Sequence, residues 1–228
     1  TPHLSNQFKL KKYLGLTEQE MKQNKQKDTD TNHTIDNAGI NVSGHILIRD
    51  KDTGEELINK RNAIHYGNMA YIVAQALNGF NTENAFIDRI AFGNGATSVD
   101  TSGKVIYKSP KVSESYENSA SLYSRTYSKR LNPTTSDTFI ETITGASYTD
   151  IKISCTLGYN EPSDAESFDS SSNNEGDYVF DELGLFTFPT DGSDIDTSTM
   201  LTHVIFHPVQ KSQNRKIEVV YTVRVQLS

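Results

Sequence analysis

Two histidines, His203 and His207, stand four residues apart. On a helix this spacing would place both imidazoles on one face, where they could bind a zinc ion. The surrounding stretch, residues 201–207, has instead the alternating pattern of a strand, in which residues four apart are separated by about 13 Å. We therefore expect no metal site at this pair.

The adjacent carboxylates Asp181 and Glu182 could in principle act as a general acid and base. They lie in a strand-like stretch, residues 178–188, and neighbouring strand residues point to opposite faces of a sheet. We predict that they form no catalytic dyad. One of them should point inward and accept hydrogen bonds from a neighbouring arm or a tyrosine.

Three further features have a structural interpretation. Gly93-Asn94-Gly95 lacks the Lys-Ser/Thr of a phosphate-binding loop and is interpreted as a turn. Asp50-x-Asp52 lacks calcium ligands at the fifth and twelfth positions of an EF-hand loop, which are Gly54 and Arg61, and is also interpreted as a turn. Cys155 alternates with apolar residues and should be a buried small side chain. We expect no catalytic residue, no bound metal and no cofactor.

Composition limits the function classes further. The chain has 228 residues, a formal net charge of −7 and a hydrophobic fraction of 35%. Basic residues are scattered apart from the small cluster at residues 9–12, which is unlike a nucleic-acid-binding face. No apolar run is long enough to cross a bilayer, and no signal peptide is evident at residue 1. We expect a protein made in the cytoplasm that binds neither nucleic acid nor membrane.

Strands account for most of the apolar pattern. The clearest case is residues 217–227, where each odd position is apolar or aromatic, as expected for a strand with one buried face. Residues 44–49 and 56–60 should form a hairpin around Gly54, and residues 200–209 should form a terminal hairpin with 217–227. Further strands are predicted at 86–92, 105–107, 122–130, 139–143, 151–159 and 178–188, with a long acidic loop over 160–177.

One helix interrupts the strands, at about residues 63–78. Asn62 is a candidate N-cap and Gly79 a candidate C-terminal stop. Few polar positions follow Gly67, so the helix should be buried on most sides. We expect it either packed against one sheet or inserted into an interface. The polar and aromatic residues at its start, Arg61, His65 and Tyr66, fit either capping, with a histidine hydrogen-bonded to backbone, or a contact between subunits.

Residues 1–39 have a different character. A short helix over residues 18–25 is predicted from the capping box that Thr17 begins, and the polar stretch after it is too poor in apolar residues to fold alone. We expect an N-terminal arm that docks on neighbouring subunits. Its candidate contact residues are the apolar ones, Leu10, Tyr13, Leu14, Leu16 and Met21.

The predicted fold class is all-β: an antiparallel β-sandwich over residues 40–228, with one buried α-helix and an extended N-terminal arm over residues 1–39.

Four phrases, taken in order, resemble a known family. They are Arg61-Asn62-Ala63-Ile64-His65-Tyr66 with Asn68-Met69; Ile90-Ala91-Phe92-Gly93-Asn94-Gly95; Phe180-Asp181-Glu182-Leu183-Gly184-Leu185-Phe186; and residues 201–212, LTHVIFHPVQKS. Together they resemble a virion structural protein of tailed bacteriophages, especially contractile-tailed phages related to T4. Their order also resembles the baseplate-attachment module of phage tail fibres.

The resemblance implies a non-enzymatic virion subunit, present in several copies, that attaches or connects components of the tail, neck or baseplate and binds other virion proteins. A capsid decoration protein is an alternative within the same class. A second alternative is a carbohydrate-binding tail component that uses exposed aromatics such as Tyr116, Tyr123 or Tyr127. A hydrolase whose site is built from distant residues is a third.

Overall fold

A computed structural model describes residues 39–79, 85–131, 135–162, 177–190 and 195–227. The predicted N-terminal arm lies outside the described residues apart from Gly39, and so do Leu10, Tyr13, Leu14, Leu16 and Met21. Most of the predicted acidic loop is also outside them.

The described part of the chain is built from twelve strands and one α-helix. In chain order they are β1 (Ile40–Asp50), β2 (Glu56–Arg61), β3 (Ala63–Ile64), α1 (Tyr66–Asn78), β4 (Ile87–Gly93), β5 (Thr97–Val99), β6 (Val105–Tyr107), β7 (Arg125–Arg130), β8 (Thr138–Thr144), β9 (Tyr148–Leu157), β10 (Asp177–Thr187), β11 (Thr202–Ser212) and β12 (Ile217–Leu227). A 3₁₀ turn, Ile195–Thr197, precedes β11.

The strands form two five-stranded antiparallel sheets. Sheet 1 has the order β2-β1-β12-β9-β8 and sheet 2 the order β3-β11-β10-β4-β7, while β5 and β6 form a separate ribbon. The side chains between the sheets, from Ile46 and Tyr221 in sheet 1 to Phe92 and Phe180 in sheet 2, belong to one buried cluster. This arrangement confirms the predicted antiparallel all-β sandwich with a helix.

The central strand of sheet 1 follows the predicted alternation. Ile217, Val219, Tyr221 and Val223 of β12 are buried between the sheets, while Arg224 on the outer face forms an ion pair with Asp150 of β9 at 2.7 Å. The predicted hairpin of β1 and β2 is also confirmed, and Gly54 in its turn adopts a positive φ of 78°, which glycine tolerates without strain.

The predicted terminal hairpin is wrong. β11 belongs to sheet 2 and β12 to sheet 1, so the chain crosses between the sheets through residues 213–216. Both edges of β12 are occupied, by β1 and by β9, over almost the whole strand. A strand has only two hydrogen-bonding edges, so none remains for β11.

The helix also differs from its prediction. Residues 63–64 pair with β11 as a short strand, and the helix begins at Tyr66, so His65 is its N-cap. Asn62, the predicted cap, donates its side-chain amide to the hydroxyl of Tyr221 instead. The predicted end at Gly79 is confirmed, since this residue forms a left-handed C-cap.

Burial of the helix on most sides is not found within the described part of this chain, whereas the alternative prediction of a helix inserted into an interface stays a prediction. Within α1 only Gly67, Asn68 and Met69 are buried, and exposure rises to 81% at Leu77. An apolar helix is expected either in a core or at an interface, and the sequence pattern does not distinguish the two. Here the helix is attached through its first turn.

Sheet 2 is covered on its outer face by an irregular segment, residues 108–124, which we call the covering segment. Ala91, between the core residues Ile90 and Phe92, belongs to a second buried cluster with Phe186 and Met200. Two residues of the covering segment, Ala120 and Leu122, complete this cluster. The outer face of sheet 2 is therefore also a packed layer.

Candidate functional site

The four phrases that carry the family resemblance meet at one junction, between sheet 2, the start of α1 and the covering segment. Glu182 lies at its centre. Its Oε1 accepts the backbone N–H groups of Ser124 at 2.8 Å and Gly95 at 3.3 Å, and its Oε2 accepts that of Tyr123 at 2.9 Å. The Nε2 of His203 donates to Oε2 at 2.9 Å.

The tautomer of His203 follows from its second nitrogen. Nδ1 accepts the backbone N–H of Lys111 at 2.8 Å, and a backbone N–H can only donate. Nε2 therefore carries the ring proton and donates it to Glu182. Burial opposes ionisation of Glu182, but the bonds from His203 and the amides of Ser124 and Tyr123 outweigh it, so the pKa of this carboxyl is lowered.

Asp181, the neighbour of Glu182, is also buried. It accepts the backbone N–H of Ala96 at 3.1 Å and that of Thr97 at 2.7 Å. The prediction that only one of the two carboxylates points inward is wrong, because a bulge between Phe180 and Glu182 interrupts the pairing of β10 with β11. A bulge changes the direction of side chains on a strand, and both carboxylates therefore bind the backbone of residues 95–97.

The second part of the junction is the first turn of α1. His65 is fully buried, and its Nδ1 accepts the backbone N–H of Asn68 at 3.3 Å. Burial lowers the pKa of His65, while Glu117 acts in the opposite direction. The predicted capping interpretation is confirmed, and as a contact between subunits His65 is unsuited, because its side chain is enclosed.

Asn68 connects this turn to the covering segment. Its side-chain amide donates to the carbonyl oxygens of Met200 at 2.8 Å and Glu117 at 3.0 Å, and its Oδ1 accepts the N–H of Glu117 at 2.8 Å. Gly67 allows the close approach, since a Cβ at this position would lie 2.0 Å from the backbone of Ser115. The hydrogen bonds of Asn68 and the close approach at Gly67 thus hold the covering segment against the start of α1.

Glu182 and His203 both accept hydrogen bonds from backbone N–H groups. Both side chains are fully buried, so no substrate can reach them in this conformation. The two histidines considered for zinc have different surroundings. His203 is buried, whereas His207 is exposed and its Nδ1 lies 3.1 Å from the hydroxyl of Tyr107. Among the described residues, no group of three or more histidine, cysteine or acidic side chains is placed to hold a metal ion.

Cys155 is buried, as predicted, between the sheets. Burial raises the pKa of its thiol to about 12, so the reactive thiolate is scarce near neutral pH. In the described part of the chain, no helix is both long and apolar enough to cross a membrane.

The surface most suited to a partner is the exposed face of α1. Tyr66, Ala70, Val73 and Leu77 recur at helical spacing on one side, and we call them the helix stripe. Tyr66 is 57% exposed and Leu77 81% exposed, and α1 contains no charged residue. Two other residues were predicted to contact a partner. Tyr66 lies on this surface, whereas Arg61 is exposed at the end of β2.

A groove runs along a different side of α1. It is small, with a volume of about 200 Å³, and it is lined by Tyr71, Ile72, Gln75, Ala85, Tyr116, Asn118, Thr187, Thr190 and Thr199. The rings of Tyr71 and Tyr116 are in contact, with centroids 4.2 Å apart. Of the three tyrosines considered for a glycan surface, only Tyr116 is exposed: Tyr127 donates its hydroxyl to Glu161, and Tyr123 lies under Lys108 and Lys111.

Sequence reasoning identified Glu182, His203 and His65 separately but missed that they belong to one junction. The groove was also missed, and for the helix stripe only a possible interface involving α1 and Tyr66 was predicted. The signal for the stripe was available in the absence of charge from residues 66–78, which is unusual for a helix on the surface of a domain.

Comparison of this chain with protein-family models, with curated protein sequences and with solved structures finds no match to any of them.

Proposed function

We propose that this chain is a non-enzymatic structural subunit of a tailed-bacteriophage virion, which attaches or connects components of the tail, neck or baseplate. The observation that carries the proposal is the helix stripe, an uncharged apolar helix face on which Tyr66, Ala70 and Leu77 are exposed and Val73 is half-buried. Exposed apolar surface of this kind is typical of contacts between proteins.

The location of the family-like phrases supports the same proposal. Residues of all four meet at the junction: His65 donates its backbone N–H to Leu201 at 2.9 Å, and Glu182 joins Gly95 to His203. The residues that carry the family resemblance therefore lie together in the fold. They hold the covering segment and the first turn of α1 in place. Both are needed to present the helix stripe.

The partner surface that fits the stripe is apolar and uncharged. Burying a charged side chain against Tyr66 or Leu77 would leave it without a counterion, which is costly, because α1 itself offers none. We assign this surface to another virion protein and not to nucleic acid, since the chain is acidic and nucleic-acid binding depends on basic side chains.

Two measurements test the proposal. First, mass spectrometry of purified infectious particles should detect this polypeptide in fixed stoichiometry with other virion proteins, and its absence from them would refute the virion assignment. Second, a Tyr66→Glu, Leu77→Glu double variant should fold normally but be lost from particles.

The matched control is Val99→Glu, which adds a charge at an exposed apolar residue of β5. It should be incorporated at the wild-type level. Particles that contain as much of the double variant as of the wild type would show that the helix stripe is not the docking surface.

A further inference from the structure

Among the described residues, the two sheets of the sandwich end in the edge strands β2 and β8 in sheet 1 and β3 and β7 in sheet 2. An edge strand offers unpaired backbone N–H and C=O groups to another chain, and proteins usually protect such edges by keeping them short or by placing lysine and other charges on them. β3 has only two residues, β2 ends in Lys60-Arg61, and β7 has arginine or lysine at three of its six positions. These edges are therefore protected.

The remaining edge, β8, has neither protection. It is seven residues long, with the sequence Thr-Phe-Ile-Glu-Thr-Ile-Thr, and it contains no lysine, arginine or proline. Its odd-numbered residues lie on the outer face of sheet 1, since Ile140 between them is paired with the buried Ile153. On that outer face Phe139 is 46% exposed and Ile143 44% exposed. No described strand pairs with the far side of β8, so this edge is open to a further strand.

The backbone groups that face away from the sheet can be assigned from the ladder. The pairing of β8 with β9 is regular, and at its two ends the carbonyl oxygen of Asp137 and the N–H of Gly145 bond to residues of β9. Hydrogen-bonded pairs alternate along an antiparallel ladder, so the odd-numbered residues of β8 are the ones bonded to β9. The N–H and C=O groups of Ile140 and Thr142 therefore point away from the sheet.

We propose that β8 pairs antiparallel with β8 of a second copy of this chain, about a two-fold axis that passes through Glu141. In this register Ile140 and the partner subunit's Thr142 exchange hydrogen bonds in both directions. Phe139 then lies opposite the partner subunit's Ile143 on the outer face, and such pairs of an aromatic with a β-branched side chain stabilise a sheet. The contact joins sheet 1 of the two copies into one continuous sheet.

Self-complementarity of the strand favours a second copy as the occupant. A two-fold contact uses the same patch on both subunits, and the register centred on Glu141 matches the two exposed apolar side chains, Phe139 and Ile143, with each other. A shift of the pairing by two residues would place one of these side chains opposite Glu141. The register is therefore specified by the positions of the apolar side chains.

The charge of Glu141 is compatible with this pairing. Two glutamates directly opposite each other repel, but Glu141 already forms an ion pair with Lys152 of its own chain, at 3.2 Å. The centre of the contact is therefore a row of two lysines and two glutamates with no net charge. A second copy supplies the required lysine together with the strand.

The size of the contact sets its strength. One pair of seven-residue strands buries less than the roughly 1,200 Å² of a stable interface. We therefore expect a weak dimer, with a Kd on the order of 0.1 mM. The contact involves neither α1 nor the covering segment, so it is independent of the helix stripe and of the assignment to a virion.

Analytical ultracentrifugation of the full chain tests the proposal. The protein should sediment as a monomer at about 5 μM and mainly as a dimer at about 1 mM, as the expected Kd requires. Ile143→Lys places a charge on the outer face of the edge and should weaken the dimer at least about tenfold. Thr142→Pro removes an N–H group that β9 does not use, and it should weaken the dimer to a similar extent.

Hydrogen exchange at the same two concentrations shows which backbone groups are involved. The amides of Ile140 and Thr142 should become protected at the higher concentration, because they bond across the contact. The amides of Phe139 and Ile143 already bond to β9 and should not change. Equal behaviour of the two sets would contradict the proposed pairing.

The matched control is Leu77→Lys, which adds the same charge on the helix stripe, where Leu77 is 81% exposed. It should leave the Kd of the dimer unchanged. The proposal is overturned if the wild type remains a monomer at 1 mM, on the order of ten times the expected Kd, or if both β8 variants dimerise as the wild type does. Loss of the dimer in Leu77→Lys would place the contact on the helix and would overturn it equally.

Discussion

Glu182→Gln is the sharpest test of how the covering segment is held. In the native structure the two carboxylate oxygens accept hydrogen bonds from three backbone amides and from His203. An amide side chain keeps one oxygen and replaces the other by a donor. Whichever orientation glutamine adopts, two buried donors then face an NH₂ group.

His203 cannot compensate by changing its tautomer. If Nε2 became an acceptor for the new amide, Nδ1 would carry the proton and would face the N–H of Lys111, from which it now accepts at 2.8 Å. Each buried donor left without a partner costs about 1–3 kcal/mol. We therefore expect Glu182→Gln to lower the free energy of unfolding by about 3–5 kcal/mol.

Urea denaturation gives the loss of stability, and hydrogen exchange shows where it arises. The amides of Lys111, Tyr123 and Ser124 should lose protection, while those of β12 should keep theirs. As the control, Glu141→Gln removes the side-chain charge of an exposed ion pair with Lys152 and should cost less than about 1 kcal/mol. A Glu182→Gln protein within 1 kcal/mol of the wild type, with protection unchanged over residues 95–124, would refute the reasoning.

Three other outcomes are expected. Gly67→Ala places a Cβ 2.0 Å from the backbone of Ser115 and should destabilise the protein by about 2–4 kcal/mol in urea denaturation; an effect below 0.5 kcal/mol would mean that the two segments separate easily. The backbone amide of Thr53 and, to a smaller extent, the guanidinium of Arg215 lower the pKa of Asp50 to about 2. This pKa is below that of Asp50 in the unfolded chain, so on acidification the unfolded state takes up the proton at a higher pH than the folded state. Stability from Asp50 is therefore complete above about pH 5 and lost as pH falls through about 4 to 2, and Asp50→Asn should show a smaller acid-induced loss; equal pH profiles would contradict this. Cys155 in the folded protein should react with a thiol reagent at pH 8 at least about 100-fold more slowly than in urea, and comparable rates would show that the sandwich opens readily.

Much of sheet 1 is predictable from local pattern. The alternation specifies that Ile217, Val219, Tyr221 and Val223 of β12 face the other sheet, because the side-chain period of a strand is two. Gly54 similarly specifies the turn between β1 and β2, since a positive φ is needed there. Both features depend on residues close together in the chain.

The predictions that failed depend on residues far apart. Whether β11 pairs with β12 was decided by β1 and β9, which occupy both edges of β12. The inward direction of both Asp181 and Glu182 was decided by the bulge that forms where β10 meets β11. Neither event leaves a signal in the local alternation.

The amino-acid sequence by itself determined that this chain makes strands with one apolar face, an uncharged helix ending at Gly79, and a thiol placed among apolar neighbours, because each follows from backbone geometry over a few residues. Only the tertiary structure decided that the helix is attached by its first turn and that Glu182, His203 and Lys111 meet beneath a covering segment. The physical reason is that a buried polar group takes its partners from whatever backbone folding brings within hydrogen-bonding distance. For His203 that backbone is 92 residues away along the chain, and for Asn68 it is 132 residues away.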